Sequence, residues 1–95
     1  MILNQQTAEG KRAEKKVGLL IEGDNVPLSK EELCMGLAWT ALRISKEKGI
    51  AHPMTTKTLY NMRQGRGGEK AMRQTADFVG LEMPQKVYGK AGFGG

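Results

Sequence analysis

The sequence predicts a small all-α domain of three helices with flexible basic ends. Three observations lead there: apolar residues recur at helical spacing in three segments, each segment is bounded by helix-starting and helix-stopping residues, and no region alternates as a set of strands would. At 95 residues, 39% hydrophobic and only 5% aromatic, the chain holds one modest core, which excludes a two-domain enzyme or a large cofactor fold. The expected division is an arm over 1–16, one helical domain over 17–83 and a Gly/Lys tail over 84–95.

The first sixteen residues carry Lys11, Arg12, Lys15 and Lys16 and almost no large apolar side chain after Leu3, so they are expected to form a mobile basic arm. Val17-Gly18-Leu19-Leu20-Ile21 is a short apolar run closed by Gly23-Asp24-Asn25, and it suits a strand or the last turns of a helix equally well. A turn follows over Asp24-Asn25-Val26-Pro27.

The strongest local signal comes next. Ser29 and Glu32 have the spacing of a capping box, and Leu28 and Leu33 that of a hydrophobic staple, so a helix begins at Lys30. It runs to Lys48, where Lys46 and Lys48 complement the helix dipole and Gly49 supplies a left-handed stop. Leu33, Leu37, Ala41 and Ile44 form its main stripe, widened by Cys34 and Ala38, while Met35, Trp39 and Leu42 continue it around the far side. Glu32, Gly36, Thr40, Arg43 and Glu47 leave a polar strip. Pro53 interrupts the chain, and a short helix over 55–64 is capped by Thr55 or Thr56 and stopped by Gly65, with Leu59 and Met62 facing inward. A third helix, Glu69 to Val79, places Met72, Ala76 and Val79 on one face and ends at Gly80, with Leu81 positioned to fold back. The tail mixes Lys86, Tyr88, Lys90 and Phe93 with glycine and is expected to be flexible.

Fifteen Lys/Arg against ten Asp/Glu give a net charge of +5, which favours polyanions over acidic or neutral ligands. Cys34 is the single cysteine, so neither an internal disulfide nor a thiolate metal cluster can form, and a reducing cytoplasm, with nucleoid association, is the expected location. No segment is apolar and long enough to span a bilayer, and Met1-Ile2-Leu3 runs straight into polar residues, so neither membrane association nor a secretory leader is expected. His52 stands alone in a proline-containing loop and reads as a loop residue; Cys34, on the apolar arc, reads as a small hydrophobe. Residues 65–68 lack the Gly-Lys-Ser/Thr ending of a nucleotide loop. No catalytic apparatus and no cofactor are expected.

Residues 55–65, Thr-Thr-Lys-Thr-Leu-Tyr-Asn-Met-Arg-Gln-Gly, together with the following helix to Leu81, resemble the recognition-helix half of phage-repressor and Cro-type helix-turn-helix proteins. The resemblance implies a helix-turn-helix-like domain that binds duplex DNA. Thr56, Lys57, Tyr60 and Asn61 would then look into the major groove, while Arg63, Gln64 and Arg66 would lie along phosphates and Lys70 would add charge. The departure is the connection at 49–55, several residues longer than the family's turn. Residues 17–25 are also similar to the opening strand of NYN-type ribonucleases, with Glu22 where that family has Asp, although a turn closing an apolar run explains them better in so short a chain.

The expected function is therefore a sequence-specific DNA-binding regulator of transcription or replication, such as a repressor of a phage or mobile element. A homodimer is expected, because one short helix reads few base pairs. The alternative is a small adaptor or inhibitor that docks a partner protein through Met35, Trp39 and Leu42, which also form the candidate dimer seam.

Overall fold

The structure, a computed structural model, describes residues 6–82 and places four helices in them: α1 (Ala8–Ile21), α2 (Lys30–Lys48), α3 (Thr56–Arg63) and α4 (Glu69–Val79). The described residues contain no strand, so the domain is all-α as the patterning predicts. The tail residues Lys86, Tyr88, Lys90 and Phe93 lie outside the described residues.

Three helices follow directly from local chemistry. The Glu32 N–H donates to Ser29 Oγ at 3.0 Å and the Ser29 N–H donates to the Glu32 carboxylate at 3.1 Å, completing the capping box that starts α2. Gly49 ends it at φ +68°, a left-handed conformation that a β-carbon would strain. Thr55 caps α3 by accepting from the Thr58 N–H. After Gly80, the Leu81 N–H donates to the Ala76 carbonyl at 2.9 Å and Leu81 folds back into the core.

The first helix corrects the expectation of a mobile arm over 1–16. From Ala8 onward that stretch is helical, with Thr7 accepting from the Gly10 N–H and Glu9 in the first turn. Residues 17–21 are the last turns of the same helix, which settles the strand-or-helix ambiguity and removes the ribonuclease-like strand. Helix formers dominate residues 8–16, but the signal that would have announced a packed helix, a row of bulky apolar residues, is missing. In its place the buried side of α1 is Gly10, Ala13, Val17 and Leu20, small residues in its first half. Such a face gains its contacts by bringing two backbones together rather than by filling space with large side chains.

The partner surface is the strip of α2 that the sequence assigns to solvent. Gly36 and Thr40 are buried there, and a β-carbon on Gly36 would lie 2.5 Å from the Ala13 carbonyl oxygen and 2.4 Å from Val17 Cγ2. Only glycine permits this approach. Charged pairs flank the crossing: Lys16 Nζ meets Glu32 at 2.8 Å, and Arg43 Nε meets Glu14 at 2.7 Å. These pairs are partly solvated and contribute below about 1 kcal/mol each, so they set orientation while the close contact sets stability. The Lys16 ammonium, with the Ser29 N–H, also holds the Glu32 carboxyl below the usual carboxylate range.

The opposite side of α2 receives α3 and α4. Leu33, Leu37, Cys34 and Ala41 of α2 join Leu59, Met62, Met72, Ala76 and Val79 in one core. Gly67 crosses directly over Cys34, with room for no β-carbon: one built there would lie 2.6 Å from Cys34 Sγ. Burial pushes the Cys34 thiol up to about 11, so at neutral pH it is a protonated hydrophobe, as its place on the apolar arc predicts.

Two substitutions at the α1–α2 crossing should act in opposite directions. Gly36→Ala gains ~1 kcal/mol of helix propensity but drives a methyl into a backbone carbonyl, and overpacking costs ~3 kcal/mol, so a net loss of ~2 kcal/mol is expected in urea unfolding. Thr40 Oγ1 is buried with no hydrogen-bond partner among the described residues, so Thr40→Val, which removes that polar group at nearly constant volume, should raise stability by ~1 kcal/mol in the same assay.

Candidate nucleic-acid interface

Residues 48–68 contain no acidic residue, while Lys48, Lys57, Arg63 and Arg66 all fall within them. This acid-free segment spans the connection into α3, all of α3, and the turn leading to α4. Leu59 and Met62 anchor α3 on the core, which turns the opposite side of the helix outward. Thr56, Lys57, Tyr60 and Gln64 are exposed there, and Lys70 is exposed in the first turn of α4. Tyr60 is an exposed aromatic, at 48% of its full accessibility, in a protein with few aromatic residues.

The turn after α3 is built by its backbone. Gly65 takes φ +85°, which lets the Gly65 N–H donate to the Met62 carbonyl and the Arg66 N–H to the Asn61 carbonyl, at 2.9 Å each. Arg66 remains exposed and its Nη2 donates to Asn61 Oδ1 at 3.3 Å. Asn61 is therefore half-buried beside the turn, with its amide oxygen engaged, and its amide NH2 is the group left to face a ligand. Below it, an open hollow of about 440 Å³ is bounded by Thr58, Asn61, Arg66 and Ala71, with Gly67 and Gly68 along its floor. Gly68 precedes α4 without a side-chain cap, so the first N–H groups of α4 take no side-chain acceptor there.

One residue assigned to phosphate contact sits elsewhere. Arg63 is half-buried and its guanidinium carbon lies 5.2 Å from the centre of the Trp39 ring, a cation–π contact that turns it toward α2. The proposed protein-docking residues Met35, Trp39 and Leu42 are half-buried rather than open. α1 covers part of this face: a β-carbon on Gly10 would lie 2.7 Å from Trp39 Nε1. Met35 and Trp39 share a small hollow of about 130 Å³ with Tyr60 of α3, the cap residue Gln64 that follows it and Glu9 of α1, so the two surfaces expected to be separate adjoin. On its other side Trp39 joins Leu42, Arg43 and Lys46 in a larger groove of about 590 Å³.

The cations that the sequence assigns to a mobile arm are ordered on α1. Lys11, Arg12 and Lys15 are exposed on that helix, where a flexible arm was expected. The loop at 49–55 also has a defined structure: the Met54 N–H donates to His52 Nδ1 at 3.0 Å, and the His52 ring lies 5.9 Å from that of Phe78 on α4. Accepting that bond requires Nδ1 to be unprotonated. Burial foremost, together with the positive field of Arg63, holds the His52 pKa below its ordinary 6.5. His52 thus fastens the long connection to α4, a structural role that agrees with its reading as a loop residue.

No group of metal-ligating side chains occurs among the described residues, and no helix among them is long and apolar enough to cross a membrane. Compared with protein-family models, curated proteins and solved structures, the chain matches none of them.

Because His52 is held neutral when folded, the unfolded chain takes up a proton first as the pH falls. Its contribution to stability should be intact above about pH 6.5 and decline as the pH is lowered, until the folded protein protonates as well. His52→Asn, which keeps an acceptor near Nδ1 but does not titrate, should flatten the stability–pH curve between pH 6.5 and the carboxylate range, as followed by urea midpoints.

Proposed function

We propose that the chain is a duplex-DNA-binding regulator whose contact face comprises the outer side of α3, the turn at 64–68 and the start of α4. The observation that carries this reading is the acid-free segment 48–68, which is held on the surface by a core on its other side. Lys57 and Arg66 supply charge to phosphates, Thr56, Tyr60, Asn61 and Gln64 supply hydrogen-bonding groups, and Lys70 extends the face onto α4. In this arrangement α3 is presented to the major groove by the packing of Leu59 and Met62, as the helix-turn-helix resemblance implies. Arg63 acts indirectly, by fixing α3 against Trp39. A homodimer would place two such faces on one site, which fits the small number of base pairs that one face can cover.

A second reading is favoured by the groove beside Trp39 and Leu42. Its walls set Trp39 and Leu42 among Arg43, paired with Glu14 and Glu47, and Lys46, an apolar strip with a charged rim as a docking site for a partner protein has, and it lies next to the DNA face rather than within it.

Fluorescence anisotropy with labelled duplex DNA at two salt concentrations tests the first reading. Micromolar binding that weakens steeply with salt is expected, and Lys57→Glu with Arg66→Glu should lower affinity more than tenfold, because each replaces a phosphate partner by a repelling charge. Leu42→Ala, on the groove, should leave DNA affinity unchanged. Absence of duplex binding at low salt would sink the DNA reading and leave the groove as the functional surface.

A further inference from the structure

We propose that α1 carries a second duplex-binding face, made by Lys11, Arg12 and Lys15, and that a molecule seated on DNA through α3 bridges it to a second duplex. This bridging is a further activity that rests on the duplex-DNA reading above.

α1 buries Gly10, Ala13, Val17 and Leu20 against α2. By the helical step, Lys11, Arg12 and Lys15 fall on an arc of about 100° on the side away from that buried face, and all three are exposed. No hydrogen bond or ion pair joins any of them to another described residue, whereas the neighbouring Lys16 is held by Glu32. The acids of the helix stand on its flanks: Glu14 pairs with Arg43, and Glu9 lines the hollow that holds Tyr60. Three uncompensated cations therefore share one ordered strip, with Lys11 and Lys15 about 6 Å apart along the axis. Between Ala8 and Lys15 the outward side bears no aromatic ring and no large apolar side chain, so it suits phosphates rather than unpaired bases or the acyl layer of a membrane.

This strip is separate from the face on α3. α1 meets α2 at Gly36, while Met62 of α3 and the turn at Gly67 gather over Cys34, 200° around α2. The outer sides of α1 and α3 therefore turn away from each other across α2. Acids mark the seam between them: Glu9 shares a hollow with Tyr60 and Gln64, Glu31 lies beside Gly65, and Glu32 holds Lys16. One duplex laid over both faces would bring its phosphates past these carboxylates, and two duplexes, one on each face, avoid them.

Three phosphate contacts are weak alone, and each added contact makes log K fall more steeply with log salt, by about 0.9. Molecules lined along one duplex offer the second duplex a row of such strips, and every contact after the first forms at high effective concentration. Bridging is therefore expected at dense occupancy and is lost as salt rises.

The test loads the full chain onto a long duplex fixed to beads and measures how much of a second, labelled long duplex is recovered with them. Anisotropy on a short duplex reports binding through α3, and circular dichroism establishes that the variants are folded. The wild-type chain should recover the labelled duplex at low salt. Lys11→Gln with Arg12→Gln and Lys15→Gln should cut recovery roughly tenfold or more and leave short-duplex affinity within about threefold, because the two faces lie further apart than the screening length. The corresponding Glu substitutions should cut recovery further, and Lys57→Glu with Arg66→Glu should lower recovery and short-duplex affinity together. Recovery that survives the α1 substitutions would overturn the proposal, since paired copies of the α3 face would then do the bridging. Short-duplex affinity that falls in step with recovery would overturn it as well, by making α1 part of a single footprint. Short-duplex binding by the wild-type chain without recovery of a second duplex would overturn bridging and leave the duplex-DNA reading intact. Failure of the wild-type chain to bind any duplex would overturn both.

Discussion

The fold depends on the close approach of α1 to α2 at Gly36. Without it α2 would be a helix with one buried side and a bare strip of Gly36 and Thr40; with it, α2 is enclosed on two opposite sides. The packing of α1, α3 and α4 is then organised around one central rod, with Gly36 facing α1 and Cys34, 200° around the helix, facing the turn at Gly67. A small chain with few aromatics can hold four helices in this way because contact area comes from backbone proximity as well as from side-chain volume.

That constraint also explains what could be read in the sequence and what could not. The limits of α2, α3 and α4 are announced by single residues: Ser29 with Glu32, Thr55, and the stops Gly49, Gly65 and Gly80. Those signals are local, so no knowledge of the fold is needed to read them. α1 has only its Thr7 cap and good helix formers, and the first half of its buried face, Gly10 and Ala13, is small residues that hydropathy does not distinguish from solvent-facing ones. The same blindness hid its seat on α2, since glycine and threonine on a strip that also bears Glu32 and Arg43 look exposed until a second backbone is laid over them.

The candidate site divides along the same line. Exposure of Lys57, Tyr60 and Gln64 follows from the helical positions of Leu59 and Met62, and is therefore legible from spacing alone. The inward turn of Arg63 onto Trp39 is not, because it depends on how far apart α2 and α3 lie. Nor is the adjacency of Tyr60 to Met35 and Trp39, which makes neighbours of surfaces that appear unrelated along the chain. Charge is distributed with a similar economy. The acids of the first half mostly belong to α1 and α2, where Glu14 and Glu32 are occupied by cations, while Glu9 and Glu31 reach the edge of the acid-free segment, beside Tyr60 and Gly65.

The seat of Gly67 on Cys34 has a kinetic meaning. The thiol lies beneath a stretch of main chain and is almost wholly protonated at neutral pH, so an alkylating reagent can reach it only when that stretch lifts away. The chain thus contains its own stopwatch for one motion. The rate at which Cys34 is labelled measures how often the link between α3 and α4 opens, and a bound ligand that clamps those two helices would slow it without touching the sulfur.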